Sequence, residues 1–94
     1  MNVPKQTKRL TIYGRVQGVA FRAAMQRCAD QLEVTGWVRN LRAGTVEAVV
    51  HGDETRLNLI IEWARTGPPN ASVDHIEVAV SSGEYTRFEI LSGF

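Results

Sequence analysis

Residues 14–22 read "GRVQGVAFR". Two glycines bracket a short polar stretch, and Arg22 follows where an unbroken helical pattern begins. A helix N-terminus carries partial positive charge, so a cation in its first turn is misplaced by a few tenths of a kcal/mol, up to ~1. The missing negative charge could come from a ligand. Between the glycines, Arg15, Val16, Gln17, Gly18, Val19 and Ala20 form a segment whose successive N–H groups can point into one concavity, an arrangement that binds phosphate-like anions. The guanidinium of Arg22 could then add a two-pronged hydrogen-bonding fork to the same anion. The spacing also permits a plainer reading, in which Gly14 and Gly18 are turn residues and Arg22 is a solvated helix residue. The string lacks the G-x-x-x-x-G-K-[ST] pattern, so it is not a nucleotide P-loop.

Other chemistry-bearing residues are sparse. Cys28 falls on the apolar stripe of the helix that follows and reads as a small core residue; it also allows no intrachain disulfide. His51 and His75 are isolated and show no ligand spacing, so no metal site is expected. Trp37 and Trp63 read as core or core-edge residues, with Trp37 close enough to a glycine motif to wall a site.

The elements that must position these residues follow from periodicity. Residues 8–14 alternate, with Leu10 and Ile12 on one face, and end at Gly14. Residues 21–32 place Phe21, Ala24, Met25, Cys28 and Leu32 on one helical stripe. Short strands are expected at 35–40 and 45–52, joined by a hairpin turn at 41–44. Asp53 is a plausible N-cap for a helix over 55–66, stopped by Gly67 and the two prolines after it. A strand at 73–80 is expected to turn Ile76, Val78 and Val80 inward. A turn at 81–84 leads to a last short strand at 86–91. The order βαββαβ with an extra C-terminal strand predicts an α+β, ferredoxin-like α/β sandwich: an antiparallel sheet with both helices on one face. Residues 1–6 are expected to form a flexible N-terminal segment ahead of one domain over 7–94.

Composition is that of an ordinary globular chain: 94 residues, 44% hydrophobic, 22% charged, net charge +1. The charge is uneven. Residues 1–47 hold eight Lys or Arg against three acids, and residues 48–94 hold three against seven. The basic half would attract small anions. The single cysteine points to a reducing, cytoplasmic setting. Nothing approaches a membrane-spanning run, and the few aromatics argue against an RNA-stacking sheet, so neither membrane nor nucleic-acid partners are expected.

The residue strings are more specific than their spacing. "GRVQGVAFR" and "GWVRNLRAGTVE" (36–47) closely resemble the two signatures of the acylphosphatase family, and the likeness continues through "HGDE", "WARTGPPNASV" and "FEI". The resemblance implies a cofactor-free hydrolase that splits the carboxyl–phosphate anhydride of acyl phosphates into a carboxylate and inorganic phosphate. It implies that Arg22 binds phosphate, that residues 15–20 form the cradle, and that Asn40 orients the attacking water, with the substrate's own phosphate oxygens taking the water's proton. Inorganic phosphate or sulfate would then occupy the site, and the chain would act as a monomer. Ala20 is smaller than many residues at its position, and Ala43 stands where an Asp is common; these bear on pocket size and turn geometry. Arg39 and Arg42, beside Asn40, are expected as solvated charges or as guides for anionic substrate. An alternative within the same fold is a catalytically weak module that holds phosphate or carbamoyl phosphate.

Overall fold

A computed structural model describes residues 3–93. The expected flexible segment over 1–6 lies outside the described residues at positions 1 and 2. At its other end, Lys5 and Gln6 already pair with Asp53 and Gly52. Strand β1 therefore runs over Lys5–Arg15, three residues earlier than periodicity indicates.

The chain continues through α1 (Phe21–Leu32), β2 (Thr35–Asn40), β3 (Val46–Asp53), α2 (Glu54–Thr66), β4 (Ser72–Val80) and β5 (Phe88–Ile90). The sheet order is β4-β1-β3-β2-β5. The first four strands are antiparallel as expected. The added strand makes the sheet mixed, because β5 runs parallel to β2. Leu10, Ile12, Val38, Val46, Ala48 and Val50 are fully buried from the sheet side, facing Phe21, Met25 and Ala29 of α1 and Leu57, Ile60 and Ala64 of α2. Those two helical triplets recur at three- and four-residue intervals, which is why both helices lie on one face of the sheet.

Two expectations fail at the edges. Val78 and Val80 do not turn into the core: they are 43% and 91% exposed. Their register puts them opposite Leu10 and Lys8, but β4 is an edge strand with one neighbour, and only Val73 and Ile76 reach the core from it. The last strand is also shorter than 86–91. Strands β4 and β5 occupy opposite edges, four inter-strand spacings apart, or about 19 Å at ~4.8 Å each. Residues 81–87 must therefore run almost extended across the helix-free face. Thr7 holds them there: its hydroxyl donates to the Gly83 carbonyl at 2.7 Å and accepts from His51 Nδ1 at 2.8 Å. The hydroxyl has one proton, so Nδ1 must carry the imidazole proton. Tyr85 meets the His51 ring edge-on.

Helix α2 is capped in the way its sequence implies. The Asp53 side chain accepts from the Arg56 amide at 2.9 Å and pairs with the Arg56 guanidinium. That amide bond, and then the guanidinium, hold the Asp53 carboxyl below its ordinary value of 3.8. A carboxyl whose pKa falls on folding stabilises the native state above its unfolded pKa and loses that contribution as pH drops through the folded one. Asp53→Asn keeps a cap acceptor but cannot ionise. Urea denaturation should show the native chain more stable than Asp53→Asn at neutral pH, with the gap closing as pH falls below about 3.8. A gap that stays constant with pH would contradict this account of the cap.

Candidate active site

Helix α1 lacks the N-terminal cap and the terminal charges that α2 has. Its N-cap is Ala20, which offers no side-chain hydrogen bond, and its first turn holds no acid. Helix α2 has Asp53 as cap, Glu54 in its first turn and Arg65 in its last. The first backbone bond of α1 runs from the Ala24 amide to the Ala20 carbonyl at 3.1 Å. The N–H groups of Phe21, Arg22 and Ala23 therefore have no partner inside the helix. All three residues line one cleft of about 210 Å³.

The loop ahead of α1 is shaped to leave those donors open. Val16 and Val19 are buried and anchor it in the core. Gly18 and Ala20 take positive φ angles of 73° and 62°. Only a glycine adopts that conformation without penalty; at Ala20 it costs of order 1–2 kcal/mol. A Cβ built on Gly18 would meet nothing within 4 Å, so position 18 is constrained by its backbone angle and by whatever binds above it. Gln17 turns away from the cleft and clamps the loop to the β2–β3 hairpin, its Nε2 donating to the carbonyls of Leu41 at 2.7 Å and Thr45 at 2.9 Å.

That clamp brings the second motif to the first. Asn40, the last residue of β2, lines the same cleft as Val16, Gly18, Ala20 and Arg22. Its Oδ1 is buried and accepts no hydrogen bond within the described part of the molecule. A buried acceptor left unfilled costs about 1–3 kcal/mol, so the site is short of one donor at this atom. Arg22 is half-buried and forms no ion pair with any described carboxylate. The cleft thus gathers three free amides, an unpaired guanidinium and an unsatisfied carboxamide oxygen, which together suit an anion and one water.

The remaining sequence candidates separate from this site. Arg15 ends β1, exposed, opposite Ser72. Arg39 is a surface charge, its side chain 40% exposed, but a paired one: its guanidinium pairs with Glu47 at 2.7 Å and lies over the Trp37 ring. Trp37 and Arg39 alternate with the buried Val38, so they occupy the helix-free face and do not wall the cleft. Ala43 is exposed in the hairpin turn, away from the cleft lining. Trp63 packs on Phe21 as a core-edge residue. Cys28 packs against the core, and burial raises its thiol pKa, which disfavours the thiolate. His75 stacks on Tyr13, far from any cluster of ligands. Among the described residues, no three His, Cys, Asp or Glu side chains gather in one place, and no helix is long and apolar enough to cross a membrane.

Sequence reasoning missed the C-terminal wall. Ile90 lines the cleft, and Gly93 lies against the Asn40 backbone so closely that a Cβ would overlap the Asn40 carbonyl oxygen. The missed signal was the parallel pairing of β5 with β2, which no local pattern encodes. The largest cleft, about 980 Å³, is elsewhere, at the start of β1 between Lys5, Lys8, His51 and Arg56. It is wider, but the helix N-terminus it borders, that of α2, is already capped by Asp53, and no orphaned acceptor lines it.

Residues 8–90 match the family model described as acylphosphatase. An acylphosphatase of Thiobacillus denitrificans is 48% identical over 84 residues, spanning 89% of this chain and 94% of that one. The structure of an acylphosphatase from Coxiella burnetii superposes with a TM-score of 0.89 at 34% identity, covering 93% of each chain. Full-length HypF, solved with phosphate and nucleotide bound, contains a segment that matches 99% of this chain with a TM-score of 0.90 at 30% identity, although it is only 13% of that protein. The two strings that build the cleft fall inside the matched span, and the sheet order and helix placement agree with these structures: the chain belongs to the acylphosphatase family.

Proposed function

We propose that Arg22, the free amides at the start of α1 and Asn40 carry out the hydrolysis of acyl phosphates that family membership assigns to this chain. One observation carries the reading. The uncapped, cation-bearing end of α1 and Asn40, whose buried Oδ1 has no donor among the described residues, line the same cleft.

The phosphoryl group sits against the amides of residues 21–23, with the Arg22 fork on two of its oxygens. Charge on those oxygens is compensated by groups already in place before reaction, which is the main demand of phosphoryl transfer. A water donates one hydrogen bond to Asn40 Oδ1 and so holds its oxygen toward phosphorus. It attacks phosphorus, the bond from phosphorus to the acyl oxygen breaks, and the electron pair leaves with the carboxylate. The water's proton passes to a phosphoryl oxygen, because a neutral carboxamide cannot keep it. The products are a carboxylate and inorganic phosphate. Residues 16–20 serve as the cradle: Val16 and Val19 fix it from below, Gly18 and Ala20 turn it, and Gln17 ties it to the hairpin that carries Asn40. Arg15 belongs to the cradle by sequence and supports it as the end of β1.

The acylphosphatase match over residues 8–90 favours hydrolysis over a module that only holds phosphate or carbamoyl phosphate. The reading includes a chain that works as a monomer in the cytoplasm, without cofactor, with phosphate or sulfate as competing occupants of the cleft.

Four substitutions at three positions test these roles with benzoyl phosphate as substrate. Arg22→Ala should reduce kcat/KM by at least about 10³-fold and abolish competitive inhibition by phosphate; Arg22→Lys should restore little, since an ammonium lacks the fork. Asn40→Ala should cut kcat by about 10²–10³-fold while phosphate still inhibits at a similar concentration; a collapse of phosphate affinity instead would make Asn40 a structural residue. Gln17→Ala should lower stability by about 1–3 kcal/mol and reduce kcat/KM, because two hydrogen bonds to carbonyls that keep only their backbone donors are lost and the two motifs drift apart. Unchanged turnover in that variant would show that the clamp does not set the site.

A further inference from the structure

Ile90 is one of five large apolar side chains left exposed among the described residues, at 40%. It is also the wall of the cleft opposite the α1 N-terminus. Its position is fixed. Strand β5 pairs Ile90 with Val38, two residues before Asn40, and the Leu91 amide donates to the Val38 carbonyl at 2.9 Å. Alternation along β5 puts Phe88 and Ile90 on the helix side, where Phe88 is buried, and sends Glu89 to the other side, toward Arg87. No carboxylate lines the cleft, and Arg22 is its one charged residue.

The volume decides which part of a substrate meets Ile90. About 210 Å³ is less than the roughly 300–1,000 Å³ of pockets that enclose a whole drug-sized ligand. The enclosed end is the phosphate end, because the amides, Arg22 and Asn40 are there. The acyl group must leave through the mouth. Val16 and Phe21 are already used in the core, at 1% and 2% exposure, so beside the small Ala20 and Ala23, Ile90 is the large apolar side chain of the lining still available to it.

We propose that Ile90 is the acyl-group contact of this site and sets a preference for acyl phosphates with a large apolar acyl group over small ones. This rests on the catalytic assignment above and adds the substrate class to it. Burying an aromatic acyl group against an isoleucine gains free energy in proportion to the apolar area removed from water, and an acetyl group offers far less of that area.

The test is the ratio of kcat/KM for benzoyl phosphate to that for acetyl phosphate, measured for the native chain, Ile90→Ala and Ile90→Thr. The threonine variant keeps the β-branched shape that suits a strand, so the ratio can be read even if alanine disturbs β5. In both variants the ratio should fall about three- to tenfold, through a higher KM for benzoyl phosphate. A ratio within twofold of the native value, whatever happens to the absolute rates, would overturn the inference while leaving the catalytic assignment standing. Absence of turnover on either substrate by the folded native chain would overturn the catalytic assignment itself, and this inference with it.

Discussion

A helix N-terminus with no cap, no acid and an arginine in its first turn is an electrostatic deficit that most of this structure serves to maintain. The free amides of residues 21–23 and the guanidinium of Arg22 all point positive charge at one small volume. Satisfying them internally would have been simple, as Asp53 shows one helix later. Leaving them open lowers the stability of the empty protein and reserves the site for an anion. The positive φ at Ala20 belongs to the same arrangement: a negative φ there would move the loop off its path, and with it the direction of the amides.

The rest of the fold supplies the second group at the right place. Strand β3 separates β1, which leads into the loop, from β2, which ends at Asn40. The two motifs therefore meet only because the loop after β1 reaches over the end of β3 to the hairpin, and Gln17 secures that reach. Strand β5 closes the far side by pairing with β2 and bringing Ile90 and Gly93 against Asn40. The connection that delivers β5 crosses the opposite face of the sheet and is held by Thr7 and His51. The cleft thus depends on contacts made at both faces and both edges of the sheet.

Local signals carried much of this into the sequence. The stripes Phe21–Met25 and Leu57–Ile60–Ala64, the Asp53 cap and the stop at Gly67 are short-range patterns, and they set both helices correctly. The strings around Gly18 and Asn40 marked the site because backbone shape there demands particular residues. What the sequence did not disclose was long-range. Val78 and Val80 alternate like core residues, but burial depends on what lies beside the strand, and β4 has an edge. Arg39 looks like an unpaired charge until β3 places Glu47 beside it. Ile90 looks like one more strand residue until the parallel pairing with Val38 turns it to the cleft. Each miss concerns a residue whose neighbour is distant in the chain.

The most direct test of the central claim is a titration of the ¹⁵N-labelled chain with inorganic phosphate, followed by backbone amide and Arg Nε resonances. The account predicts saturable shifts concentrated at the amides of residues 18–23 and at Arg22 Nε, with the resonances of Lys5, Lys8 and Arg56 at the larger cleft little changed. Saturable shifts centred on that larger cleft, or none at all around the start of α1, would contradict it.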